Sequence, residues 1–252
     1  MAAYNTPLIL SIETATLEGS VALSMGENVI AAARGERDAS HSEYLLQQVD
    51  SSLREAGKTL GEVDLFAVTL GPGSFTGLRI GLATVKSFSA TLSRPCVGIP
   101  SLEAVAYDAA PSSSSLKILA ALPAGRGELF SQLFSISAEG LPQPLEEPTH
   151  LSPQRLLEKV KNLKPLVWAG DGARAFSRMI EEFALREGVK FTGEAEIAGR
   201  SSADWVIASQ VDPLAVSLAS LAWRRYLQGK ISEAAELKAI YVRPSDAEIK
   251  RA

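Results

Sequence analysis

The chain has 252 residues, 46% of them hydrophobic and 21% charged, which suits one large globular domain or two of medium size. Its formal net charge is -4, so there is no overall basic field to hold nucleic acid, and any RNA affinity is expected to come with a partner. The single cysteine, Cys96, rules out a disulfide framework and reads as a buried thiol.

The first seven residues lack the basic region and long apolar run of a signal peptide, and no run approaches the length of a membrane span, so a cytoplasmic protein is expected. Leu8 to Ile12 is an apolar strand. Thr16-Leu17-Glu18-Gly19 is turn chemistry ahead of an alternating strand from Ser20 to Met25, and Gly26-Glu27-Asn28 turns into Val29 to Ala33. Three sequential strands with short turns predict an antiparallel meander. Ser40, with Glu43 three residues later, is a capping-box start for a helix whose stripe is Leu45, Leu46, Val49 and Leu53, and Gly57 stops it. Val63 to Leu70 reads as a buried strand.

That strand runs into Leu70-Gly71-Pro72-Gly73-Ser74-Phe75-Thr76-Gly77-Leu78-Arg79-Ile80-Gly81-Leu82, a tight turn opening a helix that continues to about Ser93. Three readings of the turn stand open. Glycines ahead of a helix can aim free N–H groups at a phosphate, although the Walker lysine is missing and Gly71, Gly73 and Gly77 miss the dinucleotide spacing. Gly77 and Gly81 lie four apart, where small residues admit another helix. A sharp turn with local packing is the third. A short segment, Cys96 to Ile99, and a helix from Leu102 to Ala109 close this half.

Pro111 to Ser115 is a composition break that reads as an exposed connector. Beyond it the order repeats: strands over Lys117 to Leu122, Leu129 to Ser137 and Pro144 to Thr149, then a helix capped by Ser152-Pro153 with Leu156, Leu157, Val160 and Leu163 inward. A strand from Leu166 to Ala169, the turn Gly170-Asp171-Gly172 and a helix from Ala173 to Leu185 follow. Residues 188–204 are polar and resist assignment. Asp212-Pro213 caps a last helix carrying Leu214, Leu218 and Leu221, and Ala239 to Pro244 is an extended tail. The expectation is an α/β protein of two similar lobes, residues 1–110 and 111–252, each with the order strand, strand, strand, helix, strand, helix; the last helix and tail are candidates to return to the first lobe.

Glu13-Thr14-Ala15-Thr16 places a carboxylate and hydroxyls at a strand end, where they could steady a metal-bound phosphate or simply serve a polar turn. His41 and His150 have no second ligand at metal spacing and read as structural or surface residues. Ser74 is outside any nucleophile elbow. Arg155, Lys159, Lys161 and Lys164 form a solvated basic face, and Trp223, Arg224, Arg225 and Tyr226 combine cations with aromatics near the end of the last helix.

The run Leu10-Ser11-Ile12-Glu13-Thr14-Ala15-Thr16, the stretch from Gly71 to Gly81, Pro100-Ser101-Leu102, Arg126 to Phe130 and Tyr241-Val242-Arg243-Pro244 together resemble the bacterial TsaB family, also called YeaZ. The resemblance implies the two-lobed fold of actin, hexokinase and the heat-shock ATPases. It also implies a noncatalytic partner of TsaD, which transfers a threonylcarbamoyl group to the adenosine next to the anticodon in tRNAs reading codons that begin with A. TsaE, an ATPase, joins the pair, a second copy of the chain is another possible mate, and tRNA is met only through the complex. The pairing face implied here comprises Leu45, Leu46 and Val49 of one helix and Phe75, Gly77, Leu78, Gly81, Leu82 and Val85 of the next, with Gly71 and Gly73 shaping the turn and Gly77 and Gly81 clearing space for a partner. Family members often carry Asp where Glu13 stands, so Glu13, Thr14, Gly71, Gly73, Gly170 and Gly172 are expected to be a vestigial nucleotide cleft. No tightly bound cofactor or metal is expected, and ATP with magnesium only weakly or in the complex. The competing expectation is an ATPase or small-molecule kinase of the same fold.

Overall fold

The structure is a computed structural model; it describes residues 6–36, 40–110, 116–195, 204–210 and 212–242. The chain divides into two compact units, residues 1–104 with 212–240, and residues 105–211 with 241–252.

In the first unit, β1 (Leu8–Glu13), β2 (Ser20–Met25) and β3 (Asn28–Arg34) form the expected antiparallel meander, with Leu10 opposite Leu23 and Ala22 opposite Ala32. Helix α1 (His41–Glu55) follows, and the Glu43 carboxylate accepts from the Ser40 N–H at 3.3 Å as the capping pattern predicts. Then come β4 (Leu65–Gly71), α2 (Phe75–Leu92), β5 (Cys96–Pro100) and α3 (Ser101–Asp108). Strand order is β3-β2-β1-β4-β5, with β4 parallel to both β1 and β5.

The second unit begins with β6 (Lys117–Gly125) and β7 (Glu128–Ile136). In place of a third strand over Pro144 to Thr149 there are two short ones, β8 (Pro142–Pro144) and β9 (Thr149–Leu151), both paired with β7. Helix α4 (Pro153–Val160) starts at its proline, and β10 (Leu166–Ala169) leads into α5 (Asp171–Ala175) and α6 (Ser177–Arg186), one expected helix interrupted at Phe176. The unassigned stretch contains β11 (Phe191–Ala195), while β12 (Trp205–Ala208) lies just beyond it. The sheet order β11-β12-β10-β6-β7-β8 repeats that of the first sheet, with β6, β7, β8, β10 and β12 in the places of β1, β2, β3, β4 and β5. This is the predicted order of elements, built twice.

Helix α7 (Leu214–Leu227) lies across all five strands of the first sheet. Its N-cap is Pro213, so Asp212 is not the expected cap. Strand alternation separates the two faces of that sheet. Leu8, Leu10, Ile12, Val21 and Leu23 form a core with Leu45, Val49 and Leu53 of α1 and Leu82 and Val85 of α2, whereas Ser20, on the other side, accepts from the Ala215 N–H of α7 at 3.1 Å. The second core is separate, built on Trp168, Trp205, Phe183 and the leucines of α4. After α7 the chain returns along β5: Cys96 and Ser232 exchange backbone hydrogen bonds of 2.9 and 2.8 Å, Leu237 enters the first core, and the Ile240 N–H donates to the Leu70 carbonyl at 2.7 Å. Arg243 and Pro244 of the tail, and the connector at 111–115, lie outside the described residues.

Candidate functional site

The turn after β1 is organised by Glu13. Its Oε1 accepts from the N–H groups of Ala15 and Thr16 at 2.6 and 2.8 Å, and its Oε2 from the hydroxyls of Thr16 and Ser20 at 2.8 and 3.2 Å. Burial pushes this carboxyl above its ordinary range, against the lowering effect of those donors. Two side chains at the start of α1 hold the same turn. His41 Nε2, protonated because its partner is a carbonyl, donates to Thr16 O at 3.0 Å, and the Tyr44 hydroxyl donates to Glu18 O at 2.5 Å. Burial lowers the His41 pKa, and burial together with Glu13 and Glu18 pushes the Tyr44 phenol up to about 12. His41 is therefore structural, as its isolation in the sequence suggests.

The glycine turn fits against this one. The Ser74 N–H donates to Ala15 O at 2.8 Å, and Ser74 Oγ accepts from the Gly77 N–H at 3.2 Å, which makes Ser74 the helix cap. Gly71 has φ of +110°, the region that favours glycine, and a Cβ there would lie 2.6 Å from Ile240 O. A Cβ at Gly73 would lie 2.4 Å from Ala15 O, one at Gly77 2.1 Å from Thr14 O, and one at Gly81 2.2 Å from Thr14 Oγ1. The space these glycines leave is filled by the chain itself. This corrects the expectation that Gly77 and Gly81 clear room for a partner: both are buried and face Thr14.

The remaining residues of the expected pairing face divide the same way. Leu45, Val49, Leu78, Leu82 and Val85 are buried in the first unit, Phe75 is half-buried, and Leu46 is 60% exposed. Around α1, Tyr44 and Gln48 flank the buried stripe on one side and Leu46 on the other. Tyr44 lies against Gly35 beyond the end of β3, so the flank with Leu46 turns toward α2. On α2 one outward row consists of Thr76, Ala83, Ser87 and Ala90, with Ile80 half-buried among them and Arg79 and Thr91 exposed at its edges. The row's alternating spacing of four and three is that of a helix–helix seam, and all its members but Ile80 are small. In the sequence this seam is no more than threonine, alanine and serine at helical spacing, less conspicuous than the glycines beside it.

The donors of the turn after β1 are already engaged within the chain. The Ala15 and Thr16 N–H groups already have Glu13 as their acceptor, the Gly19 N–H donates to Thr16 Oγ1 at 3.2 Å, and Thr14–Ala15 closes the glycine faces. In the second unit, a Cβ at Gly170 or Gly172 would lie 2.5 or 2.8 Å from atoms of Ala121, so those glycines also serve close approach of the chain to itself. Asp171 is paired with Arg174 at 2.6 Å, and Arg174 also donates to Gln210. His150 lies 2.8 Å from Glu128, and Cys96 is buried beside Ser232. Among the described residues, no three His, Cys, Asp or Glu side chains form a metal-ligand cluster, and no helix is long and apolar enough to cross a membrane.

The described elements define an α/β protein of two units whose mixed sheets share one strand order. A family model described as "TsaD: tRNA N6-adenosine threonylcarbamoyltransferase" matches residues 36–244, and the chain belongs to the TsaB, or YeaZ, family within that homology. It is 29% identical over 191 residues to the "tRNA threonylcarbamoyladenosine biosynthesis protein TsaB" of Escherichia coli, covering 75% of this chain and 82% of that one. The Bacillus subtilis protein of the same name is 26% identical over 246 residues, 96% of each chain. YeaZ from Pseudomonas aeruginosa shares the fold with a TM-score of 0.72 at 24% identity, over 93% of this chain and 99% of that one. The resemblance read from the first strand and the glycine turn is thus a family relationship.

Proposed function

We propose that this chain works in the formation of threonylcarbamoyladenosine in tRNA as a noncatalytic partner of TsaD, docking through the outer faces of α1 and α2. Family membership supplies the process. The observation that carries the role is the seam of exposed Leu46, Thr76, Ala83, Ser87 and Ala90 around half-buried Ile80. A large aliphatic side chain left in solvent beside a helix face of small residues offers a partner helix both an anchor and close approach. The internal use of Glu13, Thr14 and Ala15 supports a supporting rather than a catalytic subunit, with no nucleotide held tightly by the isolated chain. On this reading TsaE joins the pair, and tRNA is bound by the assembly in the cytoplasm.

The test is co-purification with the TsaD of the same cell, followed by tRNA modification with and without the chain. Ala83→Arg and Leu46→Asp should abolish pairing and the dependent modification while leaving the unfolding midpoint near wild type, since both positions are solvent-facing. Pairing of both variants at wild-type yield would place the contact elsewhere. Gly77 and Gly81 are unsuitable for this test, because enlarging either disturbs Thr14 first.

A further inference from the structure

Helix α2 has 18 residues and contains no carboxylate; its only charged side chains are Arg79 and Lys86. Neither forms an ion pair with a described residue. Arg79 is exposed and lies over the ring of Phe75, one turn earlier, with its Cζ 3.8 Å from the ring centroid. This cation–π contact holds the planar guanidinium in one orientation, so less freedom is lost when a carboxylate binds it. Lys86 stands two turns further along the same flank, half-buried next to β5. The two cations therefore edge the small-residue seam on the side away from α1, since Gly77 and Gly81 mark the side toward β1.

Of the carboxylates on α1, only Glu55 at its C-terminal end has neither an ion pair nor a capping hydrogen bond among the described residues. Asp50 pairs with Arg54 at 2.9 Å, and Glu43 caps the Ser40 N–H. A second copy of this chain laid α2 against α2 would set Arg79 and Lys86 against their own kind, and its α1 offers only Glu55, at the far end of the helix, as an uncommitted carboxylate. We infer that the surface along α2 takes a partner helix bearing carboxylates beside small or apolar residues, and that Arg79 and Lys86 select that heterologous partner over self-association. This rests on the pairing proposed above and adds its charge requirement. Like-charge juxtaposition suppresses wrong partners, and complementary charge raises the association rate.

The experiment measures binding of the full-length chain to TsaD at low and high salt for the wild type, Arg79→Glu, Lys86→Glu, the double variant and Arg79→Lys, with self-association of each followed by sedimentation. Arg79→Glu should weaken binding about ten-fold and the double variant about a hundred-fold, mainly through slower association, with a shallower salt dependence. Arg79→Lys, which keeps charge but loses the planar stack, should fall between wild type and Arg79→Glu. Wild-type pairing combined with undiminished, equally salt-sensitive binding of the double variant overturns the charge requirement and leaves the pairing standing. Absence of wild-type binding overturns the pairing itself. A wild-type chain that self-associates through this face more tightly than it binds TsaD makes a second copy the occupant and also overturns the inference.

Discussion

A Cβ at Gly77 would meet the Thr14 carbonyl oxygen, whereas one at Gly81 would meet the Thr14 hydroxyl. The difference decides what each position tolerates. A backbone oxygen directly after β1, in a residue whose N–H is tied to Thr69 Oγ1 at 3.3 Å, cannot retreat, so Gly77→Ala should cost about 2–3 kcal/mol of stability, the upper range for overpacking. The Thr14 hydroxyl can be removed, and it is buried without a hydrogen-bond partner. Gly81→Ala should therefore be costly alone and largely rescued by Thr14→Ala, while Gly77→Ala should not be; urea unfolding of the singles and doubles measures both couplings. Glu13 supplies a pH counterpart. Its folded pKa is raised above the ordinary 4.5, so the stability it contributes is fully present below that value and is lost as pH rises through the folded one. Glu13→Gln keeps an acceptor for the Ala15 and Thr16 N–H groups without taking a charge. Its stability relative to wild type should rise with pH across that interval, and a difference independent of pH would refute the account. The Gly77 and Gly81 spacing made a close approach legible in the sequence, but not its direction, because a glycine has no side chain to reveal which neighbour needs the room.

Among the elements, strongly periodic ones such as α1, α2 and α4 were legible, since their apolar stripes repeat over two or more turns. Two kinds were not. Strand β12 is only four residues long, all buried, and too short for a period to show. The seam on α2 was hidden for the opposite reason: threonine, alanine and serine on an outward face look like ordinary surface until the inward face is known. The return of the chain along β5 was legible only as an extended tail, because one leucine in a polar segment does not announce a core position. Leu237 is nevertheless 4% exposed and packs in the core with Leu82 and Val85. Leu237→Ala should cost about 2–4 kcal/mol, read by chemical denaturation, and should loosen the 3-10 turn Ala234–Glu236 that lies against α2.

Taken whole, the molecule repeats one strand order in two sheets with little sequence repetition. The order was readable because turns and apolar runs set it, whereas pairing between distant strands depends on how helices cover each face. The second core is drawn from a single run of chain, Leu119 to Ile207, but the first needs Leu8 at one end and Leu237 at the other. Residues 105–211 made as a fragment should therefore fold cooperatively, and residues 1–110 should aggregate, as light scattering and circular dichroism of the two fragments will show.

The placement of α7 has a meaning in time as well as in space. A ribosome delivers the first five strands early, but the face that α7 covers stays bare until residue 227 has emerged. The lobe begun first is thus the lobe finished last. Throughout synthesis of the intervening hundred or so residues, the newborn chain carries an uncovered apolar sheet, and chaperone demand should be greatest there.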